Sequence, residues 1–87
     1  GGEPDAAEPA SYLTHLPVKR DGVTLLVRVE TIDWLEAERN YVRLHADGQT
    51  HLVRETVKNL AVRLDPKQFR RVHRSAIVNL ARIREYH

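Results

Sequence analysis

Two Asp-Gly pairs, Asp21-Gly22 and Asp47-Gly48, each lie between runs that alternate apolar with polar side chains. Asp-Gly suits a two-residue hairpin turn because both positions accept a positive φ, and alternation with period two marks a strand with one buried face. A chain so patterned is held to antiparallel strands. Before the first turn, Leu13 to Lys19 is a short strand, and Pro17 within it suits a sheet edge, where a missing amide donor is tolerated. After the turn, Val23, Leu25, Val27 and Val29 alternate with Thr24, Leu26 and Arg28, which makes one face wholly apolar. Ile32, Trp34 and Glu36 then alternate with Asp33, Leu35 and Ala37, so only one of Trp34 and Leu35 can face the main core. In Tyr41 to Ala46, Val42, Leu44 and Ala46 share one face and Tyr41, Arg43 and His45 the other. The second turn leads into Gln49 to Arg54. A strict two-residue turn sets His51 opposite Leu44, and a one-residue bulge sets Leu52 there instead.

One helix interrupts this pattern. Val57, Leu60, Ala61 and Leu64 follow the i, i+3, i+4, i+7 spacing of an apolar stripe, with Thr56 or Glu55 as its cap. Asp65-Pro66 ends it, since proline disfavours helical geometry in the residue before it. Further strands are expected over Phe69 to His73 and Ala81 to Tyr86, joined by the segment from His73 to Asn79. The fold class is therefore mainly β: packed antiparallel sheets with one short helix. A helix-turn-helix is excluded by the lack of a second helix.

At 87 residues the chain forms one small domain, which buries only about two thirds of its unfolded surface. Residues 1–11, rich in Gly, Pro, Ala and acid, are expected to be a disordered linker or tag remnant, with the domain running over 12–87. The absence of methionine suggests a piece of a longer protein. With no cysteine there is no disulfide, thiolate metal site or cysteine nucleophile. No apolar run approaches membrane-spanning length, so no membrane partner is expected.

The net charge of +2 conceals an asymmetry. Residues 1–10 carry Glu3, Asp5 and Glu8 and no base, whereas residues 63–87 carry seven bases against two acids, a net of +5. A basic domain end favours an anionic partner.

The basic residues cluster at two turns. Arg70, Arg71 and Arg74 surround the segment Val72-His73-Arg74-Ser75, and arginine grips phosphate or a guanine edge with two parallel hydrogen bonds. Arg39-Asn40 sits between two strands, with Tyr41 and Arg43 just beyond. Asn40 either reads adenine or takes the left-handed conformation a tight turn requires, and Tyr41 either stacks on a sugar or covers the sheet. Enzymatic readings have less to stand on. His73 and Ser75 lack an orienting acid in register, and Asp33, Glu36 and Glu38 read as a solvated edge. His45 and His51 flank the Asp47-Gly48 turn and could approach each other, but no third metal ligand is evident. RNA binding is disfavoured by scattered aromatics.

Taken together, the chain resembles a LytTR-type DNA-binding domain. The resemblance is carried by Ile32-Asp33-Trp34-Leu35-Glu36-Ala37, Asn40-Tyr41-Val42, Leu52-Val53-Arg54-Glu55-Thr56-Val57, Leu60, Leu64, Phe69, Val72-His73-Arg74-Ser75 and Ile77-Val78-Asn79, in order, over roughly residues 13–86. It implies the output domain of a bacterial transcription regulator working in the cytoplasm behind a receiver or other sensory domain. It further implies an elongated β fold whose loops, not a helix, enter successive major grooves of double-stranded DNA. A homodimer on DNA is admitted, and neither catalysis nor a cofactor is implied. Carried onto this sequence, the reading loops are Arg39–Tyr41 and a second one centred on Arg74. Arg74 and Asn40 contact bases, Arg39, Arg43, Arg71 and Ser75 position the backbone, and His73 contacts phosphate or braces its loop. The family pattern continues past Tyr86 with a hairpin bearing a third basic contact, which the chain as given lacks. The rival from another class is a protein-interaction module using an exposed sheet edge.

Overall fold

Both Asp-Gly pairs form the expected turns, with φ of 53° and 80° at Asp21 and Gly22 and 50° and 77° at Asp47 and Gly48. The computed structural model describes residues 11–83. The expected linker, apart from Ser11, and the end of the last expected strand fall outside the described residues.

Strands β1 (His15–Arg20) and β2 (Val23–Arg28) make a two-stranded antiparallel hairpin, followed by a 3-10 turn at Val29–Thr31. The main sheet comprises β3 (Ile32–Glu38), β4 (Tyr41–Ala46), β5 (Gln49–Val53), β6 (Phe69–His73) and β7 (Ala76–Asn79) in the order β5-β4-β3-β7-β6, antiparallel throughout. Helix α1 (Val57–Arg63) follows β5, and a single helical turn, α2 (Leu80–Ile83), follows β7. Thr56 caps α1, its Oγ1 accepting from the Asn59 amide at 3.0 Å. One face of the main sheet is covered by β1 beside β5 and by α1 against β3, β6 and β7. Between these layers lie Leu16, Val18, Leu35, Val42, Leu44, Leu60, Leu64, Phe69 and Ile77.

Leu35 is fully buried there, and Trp34 faces outward, where its ring stacks on that of His45 with centroids 4.4 Å apart. Leu44 pairs with His51, so the second hairpin has the strict two-residue turn. His45, paired with Thr50, then lies on the opposite face from buried His51, and the two rings cannot share a ligand.

Two expectations are corrected. The strand expected over Ala81 to Tyr86 falls earlier, at Ala76–Asn79, and residues 81–83 are helical. Asn79 explains the shift. Its buried side chain donates from Nδ2 to the Ile32 carbonyl at 2.8 Å and accepts from the Ala81 amide at 3.0 Å, so a polar residue ends the strand and opens the helical turn with its groups satisfied. The apolar face of β2 is also less covered than alternation implies. Val27 packs on the core, but Leu25 and Val23 are progressively exposed towards the Asp21-Gly22 turn, because it is β1, not β2, that packs beside β5.

Burial lowers the pKa of His51, and the nearby Arg20 guanidinium, donating to its Nδ1 at 3.3 Å, lowers it further. A depressed folded-state pKa means that the fold prefers the neutral ring. Its stabilisation is therefore intact above the ordinary value of 6.5 and is lost as the pH falls from there through the folded value. Urea unfolding at about pH 8 and about pH 5 should show this loss, and His51→Leu should remove it. An equal loss in the variant would assign the effect to other groups.

Candidate nucleic-acid interface

Sheet pairing brings the two basic turns to one end of the molecule. Glu38 pairs with Tyr41, so Arg39-Asn40 is the whole turn between β3 and β4. Glu36 pairs with Ala76, which sets the loop His73–Ser75 beside the end of β3, and the Ala37 amide donates to the Ser75 carbonyl at 2.8 Å. The midpoints of the two turns are two strand spacings apart, about 10 Å.

The second loop is braced from within. Nδ1 of His73 accepts from the Ser75 amide at 3.1 Å and from Ser75 Oγ at 2.8 Å, and Arg71 donates to the Arg74 carbonyl at 2.7 Å. His73, Ser75 and Arg71 thus shape the turn, while the Arg74 side chain is exposed. His73 and Ser75 do meet, as a hydrolase would need, but the shared ring nitrogen makes the pair a turn brace.

In the first turn the left-handed conformation, one of the two readings open for Asn40, falls on Arg39, at φ 58°. A left-handed residue with a Cβ costs about 1–2 kcal/mol. Replacing it with glycine relieves that strain but adds about 0.5–1 kcal/mol of chain entropy to the unfolded state. Arg39→Gly should therefore raise stability by up to about 1.5 kcal/mol and weaken DNA binding at the same time, read by thermal melts and by duplex titration. A variant that binds as well as the parent would make Arg39 a turn residue only.

The charge at this end is unbalanced. Among the described residues Arg39, Arg54 and Arg74 form no ion pair. The neighbouring acids are engaged: Glu38 with Arg43 at 2.5 Å, Glu36 with His45 at 2.6 Å, and Glu55 with Arg63 at 3.4 Å. Arg43, named beforehand as a backbone contact, is thereby neutralised. At the opposite end Arg82 approaches Asp33 at 3.4 Å and Asp47 at 3.5 Å, and its Nε donates to the Glu30 carbonyl at 3.4 Å. One oxygen of Asp33 is buried and Arg82 is its cation, so Arg82 at this end faces acids instead of standing unpaired.

Sequence reasoning missed Arg54. It follows directly on β5, where an isolated arginine reads as a solvated strand end. The pairing of Val42 with Val53 carries it next to Tyr41 and hence onto the same edge.

The sequence profile of the LytTr DNA-binding domain family matches residues 22–87. The chain is 37% identical over 78 residues to the CO-responsive transcriptional regulator RcoM of Rhodospirillum rubrum, a match spanning 90% of this chain and 33% of that protein. It is 36% identical over 62 residues to an uncharacterized response regulatory protein of Vibrio cholerae, spanning 67% of this chain and 24% of the relative. The chain thus corresponds to no more than about a third of either curated relative. The fold matches the solved LytTr DNA-binding domain of a response regulator from Bacillus cereus with a TM-score of 0.72 at 23% identity, over 79% of this chain and 63% of that one.

Proposed function

The chain belongs to the LytTr DNA-binding domain family, and from that membership we propose that it binds double-stranded DNA sequence-specifically through the turns Arg39–Tyr41 and His73–Ser75. The observation that carries the proposal is the union of those two turns at one sheet end, where Arg39, Arg54 and Arg74 lack acid partners among the described residues and the neighbouring acids are paired. Arg74 reaches into the major groove for a base edge, with guanine the best match to its two donors. Asn40 meets a base beside it. Arg39 and Tyr41 position the sugar-phosphate backbone, and Arg43 tunes the turn through Glu38. His73, Ser75 and Arg71 hold the second loop in shape, with His73 Nε2 facing a phosphate.

Turns about 10 Å apart are much closer than the roughly 34 Å of one helical turn of DNA. The two therefore address one groove and its rims, and contact with a successive groove falls to a further element or a second copy. In the parent protein the domain serves as the output of a transcriptional regulator, its access to DNA governed by a receiver or other sensory domain. Two regulatory proteins among its relatives support that place.

Selection of bound sites from random duplex DNA tests the proposal. A short recurring motif whose affinity falls steeply with salt is the expected result. Recovery of no motif, with salt-insensitive capture of a protein partner instead, would favour an interaction module.

A further inference from the structure

We infer that the corner between β5 and α1 is a third DNA contact, a phosphate seat formed by Arg54 with Asn59 beside the Arg39–Asn40 turn. The inference rests on the DNA-binding reading and extends its footprint along the sheet edge.

A shallow groove of about 440 Å³ runs between the turn and the helix, lined by Arg39, Asn40, Arg54, Glu55, Thr56 and Asn59. Its two arginines follow the ends of different strands, β3 and β5, are exposed, and form no ion pair among the described residues. The carboxylate that could neutralise Arg54 has other partners. Glu55 accepts the Thr56 amide at 3.3 Å through one oxygen and meets Arg63 at 3.4 Å through the other. Thr56 Oγ1 accepts from the Asn59 amide, so the donors left to a ligand are its O–H, the two guanidinium groups and the side-chain amides of Asn40 and Asn59. All of these are donors to anionic oxygen, and nothing in the groove resembles an apolar pocket for a base.

Position decides between phosphate and base. Across the sheet end the order is the Arg74 loop, the Arg39 turn and then Arg54 at the outer strand. From the centre of the Arg74 loop to β5 is three and a half strand spacings, about 17 Å, against a major groove about 12 Å wide. With Arg74 in the groove, Arg54 therefore overlies its rim, where the backbone phosphates run. About half to two thirds of protein–DNA hydrogen bonds are of this positioning kind.

The test is a salt titration of duplex binding by the parent chain, Arg54→Ala and Arg54→Lys, on a duplex recovered by selection and on an unrelated duplex. One lost phosphate contact lowers the slope of log affinity against log salt by about 0.9. Arg54→Ala should therefore weaken binding to both duplexes by a similar factor, and its deficit should shrink about threefold between 50 and 200 mM salt. Arg54→Lys should keep the parent slope, and all three proteins should melt together. An unchanged slope in Arg54→Ala, or a loss confined to the selected duplex, or a large fall in melting temperature, would each overturn the phosphate seat while leaving DNA binding by the parent intact. A parent chain with no salt-dependent affinity for either duplex would instead bring down the DNA-binding reading, and this inference with it.

Discussion

Arg74→Ala should lower affinity for the selected DNA site by about 5- to 150-fold, the equivalent of about 1–3 kcal/mol for a two-pronged base contact. The expected cost in folding is small, because the guanidinium is exposed and has no ion pair among the described residues, while the loop is held through the backbone of Arg74 and Ser75. Substitutions of this kind usually stay within about 0.5 kcal/mol, or about 3 °C of melting temperature in a domain this small. The loss should also concentrate on one position of the target motif, in contrast to the uniform loss expected for Arg54. A variant that melts far lower yet keeps its sequence preference would make Arg74 a structural residue.

The largest effect on stability should come from Leu60→Ala. Leu60 is fully buried on the inner stripe of α1, which packs against β3, β6 and β7. Removing its side chain exchanges packed contacts for a cavity and should cost about 2–4 kcal/mol. For so few residues that is a fall of more than about 10 °C in melting temperature, a large part of the whole margin. DNA affinity of the fraction still folded should be unaltered, since this helix face lies under the sheet. Parallel loss of affinity in that fraction would move α1 from scaffold to interface.

Much of the scaffold was legible because its signals are local. The two Asp-Gly turns, the alternation in β3 and β4 and the stripe of α1 each need only a few consecutive residues to be read. Where the reading failed, the deciding partner was distant in sequence. Asn79 looks like a loop residue until the carbonyl of Ile32 is found beside it, 47 positions away. Val23 and Leu25 look like core until β1 proves to be the strand of the hairpin that packs beside β5. The same holds for the candidate site. Its two turns were visible as arginine-bearing breaks between strands, but their convergence required the β3–β7 pairing, and Arg54 required the register of β4 and β5. Asn is the better intrinsic fit to a left-handed turn position, which is one of the two readings Asn40 allows, but it is Arg39 that is held there by the strands on either side.

The bond between the Ala37 amide and the Ser75 carbonyl has an evolutionary corollary. Both turns close strands of one sheet whose inner face is filled, and a slip of the pairing by one residue would invert every side chain beyond it. The register is thus frozen by the core. The identities of Arg39, Asn40 and Arg74, whose side chains are exposed, are not. New target sequences are accordingly reached by spelling changes at fixed positions, and paralogues sharing this scaffold can diverge in what they read without renegotiating how they fold.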